Sequence, residues 1–230
     1  MRKLQFLVQG PKNRPLDAFG ADVLIQLAPR LLALAPARLK ATFTAEPPPR
    51  LSVIPFRRTP LALISVWTDD DGDGTAAAWA ETLRVAGLGT VAGYRVDESY
   101  PCSYARDWPD EARTPGAGLL TLLSRKKGLA DGEFFRRWFD GHSPLSLRIH
   151  PLWNYARNVV RSPVVPGAPS LDGIVEEHFR TSEDLTNPVR FFGGLPWMLP
   201  NMLRVALDIQ GFLDLRTLAS WYVAEYWLKS

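Results

Sequence analysis

Two prolines seven residues apart occur twice in this chain, half its length apart. The segment LAPRLLALAPARLKATFT, from Leu27, aligns with HSPLSLRIHPLWNYARNV, from His142, at an offset of 115 residues in a chain of 230. Pro29 then falls on Pro144, Pro36 on Pro151, Leu32 on Leu147, Ala41 on Ala156 and Phe19 on Phe134. With only 20 prolines in the chain, a matched pair repeated at one spacing points to a tandem duplication. Farther on, SVWTDDDGD from Ser65 matches EHFRTSEDL from Glu177 at an offset of 112, which places a small indel in a loop.

Each half reads as the same series of elements. In the first, Lys3–Val8 is a short apolar strand and Leu16–Leu34 an amphipathic helix interrupted at Pro29. Arg38–Ala45 alternates as a strand and EPPPR ends it. A β-branched strand over Leu61–Thr68, a helix over Thr75–Val85 and a strand over Thr90–Ser99 complete the β-α-β-β-α-β order of a split βαβ, ferredoxin-like unit. The second half repeats it. Strands are expected at Leu119–Arg125, Trp153–Val160, Ile174–Arg180 and Leu218–Leu228, with helices over Glu133–Ile149 and between Ser182 and Leu207. The expected fold class is therefore α+β. Two ferredoxin-like repeats, residues 1–100 and 118–230, are joined by a Pro- and charge-rich linker over 101–117. A four-stranded sheet with both helices on one side leaves its other face bare, and a bare apolar sheet must be covered. The two repeats are expected to pack sheet to sheet as an intramolecular pseudo-dimeric α/β barrel, with the space between the sheets as the pocket.

Composition narrows the function classes. Hydrophobic residues make up 46% and charged residues 22%, which excludes disorder and collagen-like structure. No apolar run approaches the ~18 residues of a spanning helix, and MRKLQFLVQG is too short and too broken by Gln5 and Gln9 for a secretory signal. The net charge of +3 is spread thinly, and Arg125-Lys126-Lys127 is the densest basic cluster, so neither nucleic acid nor membrane is an expected partner. The single Cys102 cannot form an internal disulfide, which fits a reducing cytoplasm. TDDDGDG resembles a calcium loop. Counted from Asp69, however, the position that needs a bidentate glutamate holds Ala80, and Glu81 comes one residue late. Three histidines without tight spacing argue against zinc, and GLGTVAG leads into a strand rather than a phosphate-binding helix.

The duplication supplies an internal control. All three histidines, His142, His150 and His178, lie in the second half, opposite Leu27, Ala35 and Val66 in the first. Five of eight Trp and seven of eleven Phe also follow residue 115, so one working site is expected rather than two. Phe135, Trp138, Phe139 and His142 share a helical face, and Pro144 is expected to kink or break the helix just beyond them. A histidine at such a break, facing a cavity, suits a general acid or base. On the next strand Trp153, Tyr155 and Arg157 share one face and Asn154, Ala156 and Asn158 the other. On the strand after, Phe179 is expected under the helices together with Glu177, turning Glu176 and His178 toward the pocket. His150, before Pro151, reads as an exposed turn residue.

The passage FFRRWFDGHSPLSLRIHPLWNYARNVV, with LDGIVEEHF and SEDL, resembles the EthD family of the dimeric α/β-barrel superfamily. The residues that carry the likeness are Trp138, His142, Pro144 and Leu145, then Tyr155 and Asn158, then Asp172, Gly173, Ile174, Glu176 and Phe179. His178 stands where relatives have an aromatic ring. The match covers about residues 119–192. The resemblance implies a barrel that works without a cofactor, in a superfamily of cyclases, dehydratases, decarboxylases, isomerases, cofactor-free monooxygenases and haem-binding members. His142 would move the proton, with Tyr155, Glu176 and His178 as further catalytic groups. Trp138, Trp153, Asn158 and Trp221 would bind substrate. The function expected is a cytoplasmic lyase or cyclase, monomer or homodimer, acting on a hydrophobic oxygenated aromatic or polyketide-like molecule. The alternatives are a carrier or accessory protein for such a molecule, a cofactor-free monooxygenase, and a haem-binding member with His142 or His178 as axial ligand.

Overall fold

The computed structural model describes residues 1–50 and 52–230. Its strands are β1 (Arg2–Gln9), β2 (Arg38–Phe43), β3 (Leu61–Thr68), β4 (Thr90–Cys102), β5 (Ala117–Leu123), β6 (Leu152–Pro163), β7 (Gly173–Phe179) and β8 (Ala219–Lys229). They close into one barrel in the order β1-β3-β2-β8-β5-β7-β6-β4. Every neighbouring pair is antiparallel. Residues 1–102 supply the run β4-β1-β3-β2, and residues 117–230 supply β8-β5-β7-β6.

The two runs are joined through their edges, β2 to β8 and β4 to β6, not merely laid face against face. Closure satisfies backbone groups that open edges would leave unpaired. It also changes the expected pocket, because eight strands enclose little more than the space their own side chains fill. One end of the lumen is plugged by Leu7, Leu61, Leu63, Tyr94, Leu120, Ile174 and Trp221. At the other end lie buried Lys3, Gln5, Lys40, Thr42, Asn158, Glu176 and Glu225.

Helices pack on the outside. Those over residues 16–32 and Asp73–Val85 cover the first half, and those over residues 131–149 and Met198–Phe212 cover much of the second. Neither expected helix break occurs. Proline removes a donor and crowds the carbonyl four residues back. Here the helices widen into single π-helical turns at Val23–Leu27 and Arg137–His142 and continue through Pro29 and Pro144.

A bulge between Leu152 and Asn154 separates Trp153 from Tyr155, with which it was expected to share a face.

Candidate active site

An apolar cavity of about 290 Å³ lies outside the barrel, between the second half's strands and its helices. The strands contribute Leu119, Thr121, Tyr155, Val175 and Glu177, and the helices contribute Trp138, His142, Ser146, Ile209 and Phe212. Gly173 lets this wall close. A Cβ there would lie 2.5 Å from the Trp138 ring, so only a residue without a side chain lets the indole lie on β7. Gly173→Ala is expected to cost about 1–3 kcal/mol through forced repacking, read as a lower midpoint in denaturant unfolding.

Glu177 stands out among the lining residues. It is half-buried, and its carboxyl lines this cavity. Among the described residues no cation pairs with it, and burial alone pushes it up to about 7. A carboxyl that titrates near neutrality inside an apolar chamber is suited to general acid–base work. Tyr155 lies opposite it on β6.

His142 lines the same cavity. Its Nδ1 is 2.7 Å from Asp208 Oδ2, its Nε2 is 3.3 Å from Ser146 Oγ, and its ring packs on Phe212. An ionised Asp208 only accepts, so Nδ1 carries a proton, while Nε2 accepts from the Ser146 hydroxyl in the neutral ring and donates in the imidazolium. The Tyr155 hydroxyl is already engaged. Trp138 Nε1 donates to it at 3.3 Å, and Ser143 Oγ, 3.1 Å away, is its acceptor because the Ser143 proton goes to the Trp138 carbonyl. Burial, followed by the Glu177 charge, pushes Tyr155 up to about 12. Its phenol thus orders the wall and stays protonated. His150 is buried rather than exposed. Nδ1 lies 2.8 Å from the Phe191 carbonyl, the ring stacks on Phe191, and burial pulls it down to about 4.

The other expected residues lie elsewhere. Glu176 points into the lumen, 2.8 Å from Lys40 Nζ and 3.6 Å from Lys3 Nζ, and accepts from Gln5 and Asn158. Burial works against its charge, but the two ammoniums outweigh it and hold the carboxyl at about 2. It carries no exchangeable proton near neutrality. Asn158 joins this network through Lys3, at 2.8 Å. His178 contacts the Pro115 carbonyl at 2.8 Å and is pushed down by burial. Trp153 packs with His178, Tyr104 and Trp108. Trp221 belongs to the apolar plug of the lumen. The structure thus brings His142, Tyr155 and Trp138 to one cavity and places Glu176, His178, Asn158, Trp153 and Trp221 in or around the barrel. Glu177, the group best placed for proton transfer, was assigned by the two-residue alternation to the helix side, but the pocket was expected on the opposite face.

No family model matches the chain, and no curated protein does. Among solved structures, an anthrone oxidase-like protein is similar over all of this chain and 94% of its own, at 9% identity and a TM-score of 0.63. A candidate monooxygenase from Fusobacterium nucleatum is similar over 99% of this chain and 92% of its own, at 8% identity and 0.53. A third, a candidate monooxygenase from Lactobacillus acidophilus, covers 97% and 93% at 11% identity and 0.50. At such identities the likeness is one of fold: a mixed α+β chain whose eight antiparallel strands close into one barrel.

Proposed function

We propose that the chain is an enzyme that removes a proton from a hydrophobic, oxygenated aromatic or polyketide-like small molecule, with Glu177 as the base. The carrying observation is an unpaired carboxyl raised to about 7 in an apolar cavity. The apolar walls would hold the ring and exclude water. Proton removal beside a carbonyl or phenol leaves an enolate-like anion. His142, fixed by Asp208, is the nearby group for returning a proton or steadying the oxygen. An enolate formed in this way can eliminate or close a ring without a cofactor, which is the lyase or cyclase reading. The neighbours' names favour a second outcome, in which the same carbanion gives electrons to dioxygen as a cofactor-free oxidase.

The tandem ferredoxin-like reading, with units 1–100 and 118–230, is part of the proposal. It is supported by the like strand order of the halves and by π-helical turns at matching places. Membership of the EthD branch rests on the residue motif around Trp138 and His142. Among the described residues no helix is long and apolar enough to cross a membrane.

The test incubates the protein with anthrones and aryl β-diketones in deuterated water, with and without dioxygen. Deuterium at the acidic carbon, or a dehydrated, cyclised or oxygenated product, supports the reading. Recovery of every compound unlabelled and unchanged would reduce the protein to a carrier. His142→Ala is expected to lower turnover by ~10²-fold with little change in KM, read in steady-state kinetics.

A further inference from the structure

At the polar end of the lumen the barrel opens into a separate cavity of about 290 Å³, with Arg38, Lys40, Tyr100, Tyr104, Asn154 and Trp227 in its wall. The acids beneath it are already supplied with donors. Glu98 accepts from Lys3, Trp67 and Tyr100. Glu225 accepts from Lys40, Tyr104 and Thr114, and Glu176 accepts from Lys40, Gln5 and Asn158.

What remains uncommitted is donors. Asn154 is 4% exposed as a residue, and its amide, which bonds to no other side chain among the described residues, lines this cavity. The backbone register puts it on the lumen side of β6, opposite His178. The Arg38 guanidinium lies over both the Trp67 and Trp227 rings, at 4.9 and 4.8 Å, with no acid paired to it among the described residues. Lys40 Nζ uses two of its three protons, on Glu176 and Glu225. These uncommitted groups converge on a chamber with aromatic walls.

We infer that this mouth is a second ligand site, which takes a small aromatic carboxylate. The carboxylate would accept from Arg38, Lys40 and Asn154, and the ring would lie against Tyr100 and Trp227. Planar two-pronged donation by guanidinium suits a carboxylate better than a point charge does.

Benzoate is the probe, titrated calorimetrically into the full chain, with benzyl alcohol as the neutral control. Benzoate should bind ~10-fold or more tightly than benzyl alcohol, and Arg38→Gln should weaken it by a similar factor. Arg38→Lys should fall between, and its folding is checked by circular dichroism. In a nitrogen–proton spectrum the Trp227 indole should shift while that of Trp138 stays still. Equal binding of benzoate by Arg38→Gln, no binding by the wild type, or a shift at Trp138 in place of Trp227 would overturn the assignment. The last outcome would put benzoate in the helix-side cavity.

Discussion

Glu177→Gln is expected to lower turnover by ~10²–10⁴-fold and, at the same time, to make the protein more stable at alkaline pH. The first effect follows from removing the base while keeping its shape and leaving the cavity to bind substrate. The second follows from linkage. Burial raises the carboxyl from 4.5 unfolded to about 7 folded, so the folded state resists ionisation. Below 4.5 both states hold the proton and the group contributes nothing. Between 4.5 and 7 the unfolded chain ionises first and stability falls. Above 7 the full penalty, about 3 kcal/mol, is in force. Glutamine abolishes it, so the gain in Tm over wild type should be large at pH 8 and small near pH 4.5. Loss of activity together with a gain in stability distinguishes a working base from a residue that merely packs. In the wild type, kcat/KM should rise with pH to a plateau above about 7, as the base loses its proton.

The second large effect concerns the lumen. Glu176 stands between Lys40 and Lys3, and burial works against all three charges. Their mutual attraction offsets that penalty only while the set is complete, and removing one partner of a buried pair typically costs about 3–5 kcal/mol. Against a total stability of about 5–15 kcal/mol, Glu176→Gln should shift the denaturant midpoint strongly. The pH dependence runs opposite to that of Glu177. The folded carboxyl is held at about 2 against 4.5 unfolded, so its contribution is present above 4.5 and is lost as pH falls toward 2. Wild-type unfolding should therefore steepen across that range, and the variant should show a flatter acid limb. A midpoint within error of wild type would show that Lys3 and Lys40 are satisfied without Glu176.

These two neighbouring glutamates show what could be read along the chain. Local pattern carried far: Leu61–Thr68 forms the strand that its β-branched run implies, and the proline-spaced repeat placed the helices at matching positions in each half. Alternation also set Glu176 and Glu177 on opposite faces. What alternation cannot supply is which face holds the space, because that depends on barrel closure. Once β2 meets β8 and β4 meets β6, side chains fill the middle of the lumen, and the apolar chamber lies under the helices. Lys40 meets Glu176 from 136 positions away, and Asp208 meets His142 from 66, so neither pairing has a local signature. His150 before Pro151 resembled a turn residue, but the helix ending at Ile149 tucks the ring against Phe191. No motif marks Glu177, since its chemistry comes from the partners it lacks.

The account turns on that carboxyl holding a proton to near neutrality. The most direct measurement is a carbon-13 titration of glutamate side-chain carbonyls in the folded protein, with Glu177→Gln identifying the resonance. One carboxyl missing from the variant should titrate at about 7 in the wild type. If the missing resonance titrates below 5, Glu177 is an ordinary carboxylate and the proposed base does not exist.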